Sequence, residues 1–446
     1  MTINVRFAPS PTGFLHIGNI RAALYNYLFA RRNGGSFMLR MDDTDQKRST
    51  LAFEEALYRD LQWLGLKWDK FARQYERIPR YLEVLEQLKA SGRAYPCFET
   101  QAELDLKRKT QLGRSLPPVY DRSALKLTEA DRAKLIAEGH KPYWRFKLND
   151  TDVIWDDLVQ GHKVFSASSV SDPVLMRDDG VPLYTFCSVV DDIDFNITHV
   201  IRGEDHVTNT TTQIQIWEAI TTTPPPIFAH YPLLVTATGE EMSKRIGGNT
   251  SIVNIRDELK IEAMAINALL AKLGTSDPIM PRLTLEELAA EFALDKISRA
   301  TPKLDFEELQ HLNAKILHQT PFEMVRERLN AIEMGMVDET FWNALRTNLT
   351  KLEDIKQWWH IAHNDIQTTI TDAAFIKQAA DLLPSAPWDE NTWHVWTEAV
   401  KKESGRKGKE LYMPLRLALT GESHGPEMKT LLPIIGVERA RTRLTV

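Results

Sequence analysis

The chain reads as an α/β protein built on a parallel sheet and followed by an all-α region. Three observations predict this. Ile3, Val5 and Phe7 alternate with polar neighbours as a strand does, and Ile20, Leu24, Tyr27 and Leu28 then recur at helical spacing. Strand and helix patterns keep alternating through residue 95, which favours a parallel sheet with ligands at the carboxyl ends of its strands. From about Pro302 the strand signals fade, and helical patterns joined by polar turns run to the end.

Between the first strand and the first helix, Pro9, Pro11 and Gly13 break regular structure, and His16-Ile17-Gly18-Asn19 stands at the helix mouth. A helix N-terminus carries free N–H groups and a partial positive charge, so it attracts phosphate. Gly18 removes a side chain where backbone would approach a ligand, and His16 offers a donor beside it. Alone, this stretch is equally readable as a structural turn. Ser36–Met41 is a second strand, ending in Asp42-Asp43-Thr44-Asp45, so Arg6 and Asp42 both lie at strand C-terminal ends. Helices follow over Ala52–Leu64, with Leu57, Leu61 and Leu64 on one face, and from about Pro79 to Ala90.

Residues 96–190 differ in texture. Tyr95-Pro96-Cys97-Phe98 opens a polar helix over Ala102–Thr110, and a turn-rich stretch, Gly113–Pro118, comes next. Short β-like runs then lie around Tyr143–Leu148, Val153–Leu158 and Lys163–Ser166. The apolar strand pattern returns over Val181–Val190, Ile197–Ile201 and Tyr231–Val235, interrupted by Thr221–Pro226. A Gly-flanked loop carries Glu241-Met242-Ser243-Lys244-Arg245. A helix over Ile261–Leu273 follows, with Gly274 as its C-cap.

At 446 residues the chain has room for about two to four domains. Hydrophobic content of 43% and charged content of 26% are ordinary for a soluble globular protein, and nothing in them argues for disorder on a large scale. No apolar run reaches a membrane span, and the first strand begins too early for a signal-like segment. Cys97 and Cys187 build no disulfide framework, so a reducing cytoplasm is expected. A net charge of −6 argues against a generally basic nucleic-acid coat. Local basic runs remain at Lys401–Lys409 and Arg439–Arg443. Trp342, Trp358, Trp359, Trp388, Trp393 and Trp396 fall in the helical region. Aromatic rings stack on unpaired bases, but buried core is the more ordinary role.

The stretch RFAPSPTGFLHIGN, the DDTD at Asp42–Asp45, the VIRGED at Val200–Asp205 and the EMSKR at 241–245 together resemble the glutamyl-tRNA synthetases of class I, where HIGN and EMSKR stand for the two class signatures. The likeness covers essentially the whole chain. It implies a Rossmann-like catalytic fold in two halves, 1–95 and 191–236, around an inserted acceptor-stem-binding α+β domain, 96–190. The MSKR loop and a stem-contact region, 237–309, would follow, then a helical anticodon-binding domain, 310–446. The implied reaction is attack of the glutamate α-carboxylate on the α-phosphate of ATP, then transfer to the terminal ribose of tRNA. The implied partners are L-glutamate, ATP as substrate, Mg2+ and tRNA(Glu), with tRNA(Gln) open as a second acceptor, for a cytoplasmic monomer without membrane contact.

The resemblance also implies roles. His16 and Lys244 are the catalytic pair. Thr12, His16, Gly18, Asp205, Met242, Ser243, Lys244 and Arg245 would bind ATP. Arg6, Ser10, Asp42, Tyr184, Ser188 and Arg202 would bind glutamate. The chemistry is apt, because arginine grips carboxylates bidentately and lysine is a mobile point charge for leaving pyrophosphate. Gly239, Gly247 and Gly248 would let the loop close. Arg6 is expected on the γ-carboxylate. Asp42 is expected on the substrate ammonium, through water because it is one methylene shorter than the usual glutamate. Ser188 stands where asparagine is common. An ion pair of Arg6 or Arg202 with Asp42 or Asp205 is the structural alternative. Glu241 replaces the first signature lysine, which leaves the charge to Lys244 and Arg245. Many relatives bind zinc through Cys-x-Cys…Cys. Here Glu99 follows Cys97 and Tyr120 lies downstream, and one cysteine cannot build a tetrahedral site, so no structural zinc is expected. A shorter relative that glutamylates a tRNA base resembles only the catalytic half, and the residues beyond 310 argue against it. A non-catalytic tRNA-binding paralogue is the alternative that Glu241 and Asp42 keep open.

Overall fold

Strands β1 (Asn4–Phe7), β2 (Ser36–Met41) and β3 (Lys70–Arg73) form a parallel sheet in the order β1-β2-β3 in the computed structural model, which describes residues 2–166, 169–240, 251–368 and 370–445. Helices α1 (Ile17–Arg32), α2 (Leu51–Trp63) and α3 (Ile78–Ala90) lie between and after these strands. Strand β4 (Ala94–Cys97) then leaves the layer and pairs antiparallel with β5 (Tyr143–Phe146), which pairs with β8 (Val174–Met176). Helices α4 (Gln101–Gly113) and α5 (Glu129–Ala137) sit inside this excursion, each opened by a threonine capping box.

The second half of the parallel layer is made by β9 (His199–Gly203) and β10 (Ile227–Tyr231), with β6 (Val153–Asp157) beside β10 and β7 (Gly161–Phe165) antiparallel to β6. Although they lie within the 96–190 stretch, β6 and β7 therefore join the β10 sheet. The two halves meet at β1 and β9, where Thr198 N–H donates to the Asn4 carbonyl at 2.9 Å and Asn4 N–H to Thr198 Oγ1 at 2.9 Å. Going outward, the order is β1-β2-β3 on one side and β9-β10-β6-β7 on the other. The order reverses between β1 and β9, and such a reversal opens a crevice at the strands' carboxyl ends.

Two segments differ from the sequence reading. Val181–Val190 is not a strand: α6 (Tyr184–Asp194) occupies it. Its β-branched Val189-Val190 pair looks strand-like, but Phe186, Val189, Val190 and Ile193 follow a helical period and pack with α3 and α7 (Val207–Ile220) in one core cluster. The Tyr231–Val235 strand is displaced: β10 ends at Tyr231, and Val235–Thr236 pairs separately with Lys303–Leu304. Helix α7 is rich in Thr, a poor helix former, yet it forms because Ile214, Ile216 and Trp217 are buried.

By contact the chain divides into two units, one of residues 1–258, 266–280 and 284–305, the other of 259–265, 281–283 and 306–446. The second is helical, from Phe306–Gln319 to Val437–Leu444. Its core holds Trp342, Trp358 and Trp396 buried, with Trp359, Trp388 and Trp393 packed against it, so the tryptophans serve mainly as core. Arg443, from the last basic run, is buried, and its guanidinium donates to the carbonyls of Leu419, Ile361 and Asn364. Among the described residues no helix is long and apolar enough to cross a membrane.

Candidate active site

The crevice at the β1/β9 reversal is a cavity of about 610 Å³, within the size of small-molecule sites. Its wall carries Arg6, Ser10, Thr12, His16, Gly18, Tyr184, Arg202 and Asp205, eight of the residues singled out in the sequence. Asp42 and Ser188 stand behind it rather than on the wall. Met242, Ser243, Lys244 and Arg245, with Glu241, Gly247 and Gly248, lie outside the described residues.

One end of the cavity is the start of α1. His16 is its N-cap: Nδ1 accepts from Gly18 N–H at 3.1 Å, and Asn19 Oδ1 accepts from His16 N–H at 3.1 Å. A Cβ on Gly18 would meet His16 Cε1 and Nδ1 at 3.0 Å, so glycine is what lets the imidazole lie over the helix start. Burial holds the His16 imidazole below its ordinary value. A neutral ring accepting at Nδ1 carries its proton on Nε2, which makes His16 a donor beside the helix N-terminus. Asn26, one face further along α1, donates to Ile201 O at 2.9 Å and ties the helix to β9.

At the other end stand two arginines whose surroundings differ. Arg6 is paired: Nε lies 3.1 Å from Asp192 Oδ1 and Nη2 3.2 Å from Asp192 Oδ2. Its partner is Asp192, not the Asp42 or Asp205 considered from sequence. Arg202 is 6% exposed and none of its partners among the described residues is a carboxylate. Nε donates to His230 Nε2 at 3.1 Å, Nη1 to Tyr184 Oη at 3.2 Å, and Nη2 to Thr210 Oγ1 at 2.8 Å and Gln213 Oε1 at 2.7 Å. Burial draws its pKa down. Burying a cation among neutral acceptors is costly, and Arg202 lies on the cavity wall.

Behind the wall, Arg40 on β2 gathers the carboxylates. Nε donates to Asp42 Oδ1 at 2.7 Å, Nη2 to Asp42 Oδ2 at 3.1 Å, and Nη1 to Asp192 Oδ1 at 2.9 Å. Asp191 lies 3.4 Å from Nε, and Ser188 Oγ accepts from Nη2 at 3.2 Å. Asp42 and Ser188 thus belong to a buried network that supports Arg6. Arg40, Asp191, Asp192, Asp157, Thr210, Gln213 and His230 were not singled out from sequence. Two signals pointed to some of them: a lone arginine in the apolar strand SFMLRM, and three aspartates in the apolar stretch VVDDID.

His206, also on the wall, is pushed down to about 4 by burial and then by the charge of Arg202. Its ordinary value in an unfolded chain is 6.5. The unfolded state therefore binds a proton that the folded state refuses, so this residue's contribution is full above about pH 6.5 and is lost as pH falls toward 4. His206→Gln removes that term. Denaturant titrations of both proteins at pH 7 and pH 5 should show the difference shifting toward the variant at pH 5.

In the antiparallel excursion, the Cys97 thiol is pushed up to about 11, chiefly by burial. Glu99 accepts from Tyr120 Oη at 2.6 Å and Ser123 Oγ at 2.7 Å. Among the described residues, no group of three His, Cys, Asp or Glu side chains is placed to hold a metal by itself.

A parallel sheet that opens at its carboxyl edge onto one cavity, with a buried arginine and a helix N-terminus on the same wall, belongs to the class of α/β proteins with a small-molecule site at a strand-order reversal. Residues 2–311 match the family of class I tRNA synthetases (E and Q), catalytic domain, and residues 313–446 match an anticodon binding domain. The chain is 55% identical over 444 residues to a glutamate–tRNA ligase of Azospirillum brasilense, covering 100% of this chain and 99% of that one. It is 52% identical over 440 residues to glutamate–tRNA ligase 1 of Parvibaculum lavamentivorans, at 99% and 98% coverage. The crystal structure of a glutamate tRNA ligase from Elizabethkingia meningosepticum in complex with its amino acid superposes with a TM-score of 0.86 at 28% identity, covering 100% of this chain and 98% of that one. This chain belongs to the glutamate–tRNA ligase family of class I tRNA synthetases.

Proposed function

We propose that this chain ligates L-glutamate to tRNA in two steps at the β1/β9 cavity, acting as a cytoplasmic monomer. The observation that carries the reading is the guanidinium of Arg202, bonded to no carboxylate among the described residues, on the same cavity wall as the N-terminus of α1. Arg202 and Arg6 hold the substrate's carboxylate, with Tyr184 and Ser10 beside them. The Nε2–H of His16 and the backbone at Gly18 and Thr12 hold triphosphate oxygens, and Asp205 lies toward the adenosine. In the first step a glutamate α-carboxylate oxygen bonds to the α-phosphorus, and the bond to the bridging oxygen breaks. Pyrophosphate leaves with that electron pair, its charge neutralised by Lys244, and Met242, Ser243 and Arg245 share in binding ATP. In the second step the terminal ribose 2′-hydroxyl attacks the carbonyl carbon, and AMP leaves. Such phosphoryl chemistry asks the protein chiefly for positioning and charge neutralisation.

Magnesium commonly binds through one or two carboxylates and substrate phosphates. Asp205 is the one carboxylate among the described residues on the wall, a donor set that fits an ion carried in on the triphosphate. When bound, the ion would neutralise phosphate charge. The raised Cys97 thiol and the engaged Glu99 support a zinc-free excursion.

Aminoacylation with radiolabelled glutamate, using purified tRNA(Glu) and tRNA(Gln) separately, tests this reading. Charging of tRNA(Glu) alone is a discriminating ligase. Charging of both extends the acceptor to tRNA(Gln) with the mechanism intact. Charging of neither by folded protein overturns ligation and makes Glu241 the first suspect. The full-length match to ligases disfavours a non-catalytic paralogue.

A further inference from the structure

We infer that Asp157 and His230 are positioning residues that hold Arg202 in its glutamate-binding orientation by fixing which ring nitrogen of His230 carries the proton. The sheet lines them up. Arg202 on β9 is in register with His230 on β10, and Asp157 ends β6, the next strand over. The three side chains form a hydrogen-bonded row across three adjacent strands, with Asp157 in register with Phe228 and reaching His230 two residues further on, and the side chains of His230 and Asp157 have no solvent exposure.

The bonding in that row admits one tautomer. Asp157 Oδ1 accepts three backbone N–H groups, from Val159 at 3.0 Å, Gln160 at 2.9 Å and His230 at 3.0 Å. Its Oδ2 is left to accept from His230 Nδ1. The proton is therefore on Nδ1, and Nε2 presents a lone pair. Arg202 Nε–H donates into that lone pair at 3.1 Å, with Thr210 Oγ1 3.0 Å from the same nitrogen. The other tautomer would set N–H against N–H, and a doubly protonated ring would set cation against cation. Burial holds His230 below its ordinary value against the pull of Asp157, which accords with a neutral ring. The guanidinium plane is then set by His230 at Nε, leaving its two terminal nitrogens to neutral acceptors and the incoming carboxylate. A second partner that fixes the tautomer of a binding group is a recurrent device.

This inference rests on the reading of Arg202 as a glutamate contact, and Asp157→Asn tests it. The asparagine carbonyl keeps the three backbone bonds, and its amide N–H2 then faces Nδ1. The proton moves to Nε2, donor meets donor at Arg202, and shape is preserved. The expected result is a rise of about ten- to a hundred-fold in the KM for glutamate, with the KM for ATP unchanged and a wild-type thermal midpoint. Histidine-selective 15N labelling gives a readout independent of activity. Wild-type His230 should show a protonated Nδ1 and bare Nε2, and the variant the reverse. A wild-type signal from protonated Nε2 overturns the inference even if the variant does not fold. Arg202→Gln is run alongside. An unchanged glutamate KM in both variants overturns the glutamate reading of the site. A raised KM in Arg202→Gln with an unchanged KM in Asp157→Asn overturns the relay alone.

Discussion

Arg202→Gln is expected to lower kcat/KM for glutamate by roughly 10²–10³-fold, with stability equal to or above wild type. Truncating a buried partner of a hydrogen-bonded charge costs about 2–5 kcal/mol, and each 1.4 kcal/mol is about tenfold. The stability half of the expectation follows from the partners of Arg202, all neutral among the described residues. Among the described residues this cation is desolvated with no carboxylate in contact, which costs stability. Glutamine removes the charge while keeping an amide to meet Gln213 and Thr210. Steady-state aminoacylation over a glutamate series, with a thermal melt of the same preparation, checks both halves. A fall in activity accompanied by an equal fall in stability would mark Arg202 as structural.

Arg40→Met is expected to do the reverse, by costing roughly 3–5 kcal/mol of stability. Arg40 is 1% exposed and donates to Asp42 and Asp192, with Asp191 beside it. Asp191 retains Arg77 and Asp192 retains Arg6, but Asp42 loses its guanidinium partner. A buried carboxylate without a partner is among the most destabilising single changes. Urea titration should show the loss directly. Restored stability in Arg40→Met with Asp42→Asn would show that the unpaired carboxylate, rather than lost packing, carries the cost. Two buried arginines near one cavity thus have opposite expected effects, according to whether carboxylates surround them.

Much of this was legible beforehand. The period change between Phe7 and Ile20 placed a strand, a turn and a helix, and they occur as β1 and α1. The alternation through residue 95 anticipated the parallel β1-β2-β3 sheet. Eight of the ten described site residues chosen from sequence stand on one cavity wall. Val181–Val190 was misread because β-branched residues mimic a buried strand when a helix is buried over much of its surface. Asp42 was expected on the substrate ammonium because the resemblance places a carboxylate there, and the network that ties it to Arg40 was invisible without its partners.

The linear order of residues determined the elements near the N-terminus, the helix mouth at His16 and Gly18, and the all-α character beyond residue 306. These depend on local periodicity and on short-range backbone chemistry, which a sequence displays directly. The tertiary structure alone decided which arginine has no carboxylate partner among the described residues. Arg6, Arg40 and Arg202 are the same residue type on neighbouring strands, and each has a partner far along the chain, at 186, 152 and 28 residues' separation. Only folding brings Asp192 to Arg6 and Arg40, and only the register of β9, β10 and β6 sets His230 and Asp157 behind Arg202. The energy of a buried charge depends on what lies within a few ångströms of it, and that distance is not a property of the sequence.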